Sequence, residues 1–112
     1  MVNTKDDSYF VAKILKDLDF LIFHTKGLTE LTFGQDEVLL DSILFRLIQI
    51  SENIKNLTPE FKNKNPEIPW VKIGGFRNRI VHEYGNVDLS IIFATVSRDI
   101  YELRDLFSKT GK

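Results

Sequence analysis

The most regular hydrophobic pattern in the chain lies in residues 36–57, DEVLLDSILFRLIQISENIKNL. Its apolar residues are spaced alternately by three and four positions, which places them on one side of an α-helix; they are Leu40, Ile43, Leu47, Ile50, Ile54 and Leu57. Leu44 and Ile48 form a second apolar row beside the first. Because one helix of a small bundle seldom needs both rows for its own core, the pattern predicts a long helix with a surface for self-association.

A long helix is predicted on each side of this segment. Upstream, the apolar residues between Ser8 and Lys26 are again three or four positions apart, and Gly27 follows as a stop signal. Downstream, Asp88 can cap a last helix whose apolar positions continue to Ser108. Four charged residues on the polar side of this last helix are interpreted as solvated surface, namely Arg98, Asp99, Glu102 and Asp105.

Two prolines predict shorter helices between the long ones. Pro59 follows Thr58, which is the usual order at a helix N-terminus, and a short turn is therefore expected over residues 59–63. Pro69 can start a third helix in the same way, and Gly85 would end it.

The remaining segments fit one architecture. Residues 27–35 are predicted to be a break between helices, and no strand-like alternation of polar and apolar residues occurs. We therefore predict one all-α domain over residues 1–112, a four- to five-helix up-and-down bundle.

The composition is that of an ordinary globular protein, with 112 residues of which 43% are hydrophobic. This length allows a single modest core. The chain has no cysteine, which excludes disulfides, thiolate metal sites and a cysteine nucleophile. Its first ten residues do not form a signal peptide and no apolar stretch has transmembrane length, so we expect a cytoplasmic protein that does not enter a membrane.

The charges are distributed unevenly along the chain. Residues 46–79 carry 7 Lys/Arg and 3 Asp/Glu, whereas residues 1–45 carry 4 and 8, and residues 80–112 carry 4 and 5. A positive segment therefore leads to the histidine at position 82. It indicates either a phosphate-directed site or a solvated, lysine-rich loop.

Acid–base and phosphate-binding chemistry is concentrated in residues 68–88, IPWVKIGGFRNRIVHEYGNVD. Arginine is always charged and suits phosphate oxygens, and histidine exchanges a proton near neutral pH. His82 could move a proton to or from an RNA phosphodiester while an arginine stabilises the phosphate, without a metal ion.

Helical spacing alone does not decide which arginine would act. Asn78 lies four residues before His82 and can orient its imidazole, and Arg79 lies three residues before it. Arg77 lies five residues before His82, about 140° around the helix, so the two groups would have to meet by bending of the side chain or across a dimer interface. A surface pair of Arg79 and Glu83 beside a structural histidine explains the same spacing.

Arg77, His82 and Tyr84 have the form R-x4-H-x-Y. Together with IPW at 68–70, the Gly75–Asn78 run, VD at 87–88 and the order of helices, this motif resembles the HepT-like toxins of the HEPN superfamily of helical ribonuclease domains. The resemblance covers roughly residues 8–108.

The resemblance implies a HEPN-like homodimer whose active cleft is built by both protomers. It implies catalytic roles for Arg77 and His82, a supporting role for Asn78, and no metal or other cofactor. It also implies an MntA-like minimal nucleotidyltransferase antitoxin that silences the toxin by transferring AMP to Tyr84. The expected function is therefore that of a metal-independent endoribonuclease toxin, acting on RNA in a type VII HepT/MntA-like toxin–antitoxin system.

Two other classes of protein fit parts of the sequence. One is a non-catalytic helical dimer that binds a nucleotidyltransferase partner or a nucleotide. The other is a metal hydrolase using His24, His82 and carboxylates, which is less favoured because neither histidine belongs to an H-x3-H or H-E-x2-H set. The sequence specifies neither the RNA nor whether Glu52, Lys72 or Arg79 belongs to the site.

Overall fold

The computed structural model describes residues 5–75 and 89–110. Within these ranges the regular structure is helical and contains no strand. The helices are α1 (Asp7–Thr25), α2 (Glu30–Phe33), α3 (Glu37–Lys55), α4 (Pro59–Lys64), α5 (Trp70–Gly74), α6 (Leu89–Ala94), a π-helical segment (Thr95–Asp99) and α7 (Ile100–Ser108). The all-α prediction is confirmed, and α6, the π-helical segment and α7 follow one another without a break as the last long helix.

The helices begin where the sequence supplies side-chain caps. The carboxylate of Asp6 accepts a hydrogen bond from the Tyr9 amide at 3.1 Å, and that of Asp36 accepts one from the Leu39 amide at 3.0 Å. Each such bond satisfies one of the free N–H groups of a first helical turn. The predicted starts of the two long helices, at Ser8 and Asp36, are thus confirmed to within one residue.

The short helix α4 was expected from its proline and is confirmed. Thr58 accepts a hydrogen bond from the Phe61 amide at 3.2 Å, and Pro59 occupies the first helical turn. Asp7 also accepts hydrogen bonds from the amide and hydroxyl of Thr58, at 2.9 and 2.7 Å. These bonds join the start of α1 to the start of α4.

The expectation of a simple break over residues 27–35 is wrong for its second half. A capping box between Thr29 and Thr32 starts α2, and Phe33 at its end is 1% exposed. The ring of Phe33 packs against Phe93 of α6, with ring centroids 5.4 Å apart. Burial of this phenylalanine stabilises a helix that is too short to form alone.

The core lies around α1, which packs against α3 on one side and against α7 on the other. Asp17 pairs with Arg46, and Asp7 bonds Thr58, so α1 and α3 run antiparallel. The fully buried apolar side chains are Ile14, Leu18, Leu21, Phe33, Ile43, Leu47, Ile50, Ile68, Val96, Ile100 and Phe107.

The structure corrects the interpretation of the second apolar row of α3. Leu44 is 4% exposed and belongs to the core of the single chain, whereas Ile48 is half-buried. Because α3 packs against both α1 and α5, it needs a wider apolar face than a helix with one neighbour. Leu44 therefore cannot belong to a surface for self-association.

The glycine pair at 74–75 lies at the end of α5. A Cβ on Gly74 would meet no described atom within 4 Å, so the described residues give no close backbone approach there. A close contact occurs instead at Gly34, where a Cβ would lie 2.9 Å from the side-chain Cδ1 of Leu89. The rest of the third predicted helix, from residue 76 onward, lies outside the described residues.

None of the described helices is long and apolar enough to cross a membrane.

Candidate functional site

The motif that the sequence singles out lies outside the described residues. This applies to the predicted catalytic residues Arg77 and His82, to Asn78, to Tyr84 and to Arg79. The structure describes the two elements that flank the motif in sequence, α5 before it and α6 after it.

The two other residues considered for the site are described. Glu52 on α3 pairs with Lys55 at 3.4 Å, an exposed pair within one helical turn. Lys72 on α5 forms an ion pair with Asp99 of the π-helical segment, with 3.6 Å between Nζ and the carboxylate. Lys72 therefore links α5, which precedes the motif, to the last long helix, which follows it.

Trp70 anchors the start of α5. Its indole N–H is shared between the backbone carbonyls of Lys62 and Asn65, at 3.2 and 3.1 Å. Its ring packs edge-on against Phe61 and Phe107, with ring centroids 6.2 and 5.8 Å away. A large ring with its polar group bonded fixes both the position and the rotation of the helix.

A second contact holds the end of α5. The hydroxyl of Ser51, which is fully buried on α3, donates a hydrogen bond to the carbonyl of Ile73 at 3.2 Å. Ile73 itself is 2% exposed and belongs to the core. The helix that directly precedes the motif in sequence, α5, is thus held in place by contacts with α3, α4 and α7.

A pocket of about 260 Å³ opens between α5 and the last long helix. Its apolar lining comes from both sides and consists of Pro69, Ile73, Ile100, Leu103 and Leu106. Its polar lining consists of Glu67, Lys72, Thr95, Asp99 and Glu102. Concave sites with an apolar lining and a few polar groups are where proteins bind small molecules and single chemical groups.

The polar lining of the pocket is acidic. Its three carboxylates and one ammonium give a formal charge of −2. Asp99 is paired with Lys72, whereas Glu67 and Glu102 form no ion pair with any residue that the structure describes. The pocket therefore favours hydrogen-bond donors and disfavours a free anion.

The π-helical segment shapes one wall of this pocket. Thr95 and Asp99 are four residues apart in it, and both line the pocket. The hydroxyl of Thr95 donates to the carbonyl of Ile91 at 3.0 Å and is almost fully buried. Single π-helical turns inside α-helices are rare, and those that occur frequently lie at functional sites.

Sequence reasoning missed this pocket. Asp99 and Glu102 were interpreted as solvated surface, but Asp99 is half-buried and both line the pocket. The spacing of apolar residues in the last helix is that of an ordinary α-helix, so it gives no signal for the π-helical segment. Only the folded arrangement of α5 against this helix brings the lining residues together.

His24 lies apart from the pocket, at the end of α1. It is exposed and packs against Phe20 and Phe23, with ring centroids 4.2 and 5.0 Å away. In the part of the chain that the structure describes, no group of three or more potential ligands is placed to hold a metal ion.

Comparisons with known proteins identify the family. A family model described as "Ribonuclease HepT-like" matches residues 8–110. A protein of Caldanaerobacter subterraneus subsp. tengcongensis, whose name marks it as a candidate RNase, is 37% identical over 94 residues, which are 84% of this chain and 84% of that protein. The "Probable ribonuclease HepT" of Thermococcus cleftensis is 38% identical over 103 residues, 92% of this chain and 94% of that protein. No solved structure matches the chain significantly. Since the family model spans nearly the whole chain and both relatives align over most of it, the chain belongs to the HepT-like ribonuclease family.

Proposed function

We propose that this protein is a metal-independent endoribonuclease toxin whose catalytic groups are Arg77 and His82. The observation that carries the proposal is that the HepT-like ribonuclease match over residues 8–110 includes an intact R-x4-H-x-Y motif at 77–84. The anchoring of α5 by Trp70 and Ser51 supports it, because a catalytic segment needs a rigid element to hold it.

The proposed reaction uses the ribose as its own nucleophile. His82 takes the proton of a 2′-hydroxyl, and the 2′-oxygen forms a bond to the adjacent phosphorus. The bond from phosphorus to the 5′-oxygen breaks, and that oxygen receives a proton, so a 2′,3′-cyclic phosphate and a 5′-hydroxyl result. Arg77 stabilises the charge on the phosphate, and Asn78 orients the imidazole. DNA lacks the 2′-hydroxyl and would not be cut.

The test compares the two histidines of the chain. His82→Ala should lower the rate of RNA cleavage by about 10²-fold or more, because general acid–base catalysis is lost. His24→Ala is the matched control, because His24 is exposed at the C-terminal end of α1. This variant should cleave RNA like the wild type. Cleavage should persist after chelation of divalent metals. Equal cleavage by the two variants would refute the assignment and favour a non-catalytic dimer that binds a nucleotidyltransferase or a nucleotide.

The proposed partner is an MntA-like minimal nucleotidyltransferase antitoxin. It would transfer AMP to the hydroxyl of Tyr84, and this bulky anion, two residues from His82, would compete with an RNA phosphate. The intact mass of the protein should rise by one or more AMP units when the two are co-expressed, and growth should recover. Tyr84→Phe should abolish the mass change and Tyr101→Phe, at an exposed tyrosine of α7, should leave it intact. A mass change that persists in Tyr84→Phe would exclude Tyr84 as the site.

The proposed homodimer would use the outer face of α3. Val38 and Phe45, seven residues apart and therefore on one side of the helix, are 78% and 56% exposed. Ile48, three residues beyond Phe45, is only half-buried. Exposed apolar residues in line on one helix are typical of an interface. Phe45→Glu should give a monomer in sedimentation velocity at micromolar concentration, and a dimer that survives this change would exclude the face.

A further inference from the structure

The pocket between α5 and the last long helix offers two kinds of contact at once. Ile73 and Ile100 supply apolar surface from opposite walls, and Leu106 lies half-buried at its edge. Glu67 and Glu102 supply carboxylate oxygens that no described residue pairs with. An occupant must therefore be flat or slender, largely apolar on its faces, and rich in hydrogen-bond donors along one edge.

We infer that this pocket binds an unpaired guanine base of the RNA next to the phosphate that is cut. The inference rests on the proposed ribonuclease function and adds to it a residue-level source of sequence preference. RNA-binding proteins commonly recognise single-stranded bases through apolar contacts with the ring and hydrogen bonds to its edge.

Guanine has the donor arrangement that suits a carboxylate. Its ring N1–H and its exocyclic amino group lie side by side and can donate together to one carboxylate of Glu67 or Glu102. Adenine and cytosine each offer a single amino group beside a ring acceptor, and uracil has no amino group and offers only its ring N3–H, which lies between two carbonyl oxygens. Hydrogen-bonded sites reject a ligand that leaves their polar groups unpaired.

Size and charge also favour a base over a phosphate. A volume of about 260 Å³ is below the range of pockets that hold drug-sized ligands, so it suits one ring system rather than a whole nucleotide. The formal charge of −2 repels a phosphate group inside the pocket. Lys72, whose side chain is 63% exposed, lies on the solvent side and can contact the phosphate attached to a bound base.

The position of α5 in the sequence connects the pocket with the cleavage motif. Lys72 and Ile73 of α5 line the pocket, and Arg77 follows Lys72 by five residues. The ion pair from Lys72 to Asp99 holds α5 against the π-helical segment at the same place. A base bound there would lie beside α5, whose last residue, Gly74, precedes Arg77 by three positions in the sequence.

The first experiment measures binding of free nucleotides and does not depend on catalysis. GMP and UMP are titrated into the intact protein and followed by NMR or calorimetry, with AMP and CMP for comparison. GMP should bind at least about fivefold more tightly than UMP, the discrimination expected of a pair of hydrogen bonds to one base. Equal affinities for GMP and UMP, or no binding of either, would overturn the inference.

Matched variants locate the binding. In the double variant Glu67→Gln and Glu102→Gln, the preference for GMP over UMP should disappear, because a glutamine amide can also donate to the carbonyls of uracil. Glu60→Gln, an exposed glutamate of α4 outside the pocket, should keep the preference. Leu106→Trp should fill the pocket and weaken GMP binding at an unchanged melting temperature. Unaltered GMP binding in both pocket variants would place the nucleotide elsewhere and refute the proposal.

A second readout separates this inference from the proposed function. RNA cut by the wild type should be cleaved mainly next to guanines, and the glutamine double variant should lose this preference while it still cuts. If the double variant keeps the wild-type cleavage pattern, the base pocket is wrong although the ribonuclease is right. If the wild type does not cut RNA but still binds GMP selectively, the ribonuclease proposal fails and the proposal of a base pocket stands. Binding of N-acetylarginine amide in place of GMP would show that the pocket takes a basic side chain, and would overturn the inference.

Discussion

At the scale of single residues, Trp70 has the clearest structural role next to the motif. It is half-buried, it packs against Phe61 and Phe107, and its indole N–H is bonded to two carbonyls. Trp70→Ala should therefore lower the free energy of unfolding by about 3 kcal/mol, because it removes a large ring and leaves a cavity. Trp70→Phe, which keeps most of the ring, should lower it by about 1 kcal/mol.

The neighbouring residue provides the control. Val71 is 92% exposed, so Val71→Ala should change the free energy of unfolding by less than about 0.5 kcal/mol. Urea denaturation followed by circular dichroism measures all three variants. A loss in Trp70→Ala no larger than that in Val71→Ala would show that the indole does not anchor α5.

A second residue-scale prediction concerns the charge of Asp17. This carboxylate is nearly buried and forms an ion pair with Arg46 at 2.8 Å, and the guanidinium also lies 3.9 Å from the centre of the Phe20 ring. Arg46→Met should lower the free energy of unfolding by about 3 kcal/mol, because it leaves a buried charge unpaired. Adding Asp17→Asn to this variant should restore much of the lost free energy of unfolding.

The pair of Lys109 and Asp105 is the exposed counterpart. Its side chains are 68% and 64% exposed, so Lys109→Met should cost less than about 0.5 kcal/mol. Chemical denaturation of the wild type, Arg46→Met, Asp17→Asn and the double variant measures the coupling between Asp17 and Arg46. No recovery in the double variant would mean that Arg46 stabilises the fold through its contact with Phe20 rather than through charge.

At the scale of elements, the cap of α1 connects stability with pH. Hydrogen bonds from the Ser8 hydroxyl and the Tyr9 amide lower the pKa of Asp6 below its usual value of 3.8. A carboxyl group whose pKa is lowered by folding stabilises the folded state while it is ionised. Its contribution is therefore present above pH 3.8 and is lost as the pH falls from there through the lower pKa of the folded protein.

Asp6→Asn isolates this contribution because asparagine caps a helix about as well but does not titrate. The melting temperature of the wild type should fall more steeply than that of Asp6→Asn as the pH drops below 3.8, because the pKa of Asp6 is lower in the folded protein. Thermal melts followed by circular dichroism at a series of pH values measure the difference. Parallel curves would show that the bonds to Asp6 do not persist in solution.

The helices also show which elements can be predicted from local sequence patterns alone. Asp36 and Thr58 are local caps, so the starts of α3 and α4 could be predicted from a few neighbouring residues. The helix α2 could not, because it depends on burial of Phe33 against Phe93, sixty positions further along the chain. The π-helical segment at Thr95–Asp99 depends in the same way on packing between elements, and its sequence is compatible with a regular α-helix.

At the scale of the whole molecule, the all-α architecture and the ribonuclease family could be predicted from the sequence, whereas the arrangement of the pocket could not. Arg77, His82 and Tyr84 match a known motif in residue type and spacing, but their roles stay predictions because these residues lie outside the described ranges. The pocket could not be predicted, because Lys72 and Asp99 are 27 positions apart and come together only when α5 packs beside the last helix. Leu44 illustrates the same limit, since its burial depends on how many neighbours α3 has.

The proposed dimer and the proposed catalytic pair make a joint prediction that only the assembled molecule can test. Arg77 and His82 are five residues apart, on different sides of an ideal helix, so a site built by two protomers can take its arginine from one and its histidine from the other. In a mixed dimer of Arg77→Ala and His82→Ala, one such site would then have both groups and the other would have neither.

Each variant alone should therefore be inactive, and an equimolar mixture refolded together should regain about a quarter of the wild-type RNA cleavage, since half of the dimers would be mixed and one site in each would be intact. Co-refolding of His82→Ala with itself is the control for the procedure. If Arg77 and His82 of one protomer act together instead, every site in the mixture carries a defect and no activity returns. Adding Phe45→Glu to both variants should abolish any recovery of cleavage. The proposed interface on α3 is then lost, while each variant keeps the same residues at positions 77 and 82.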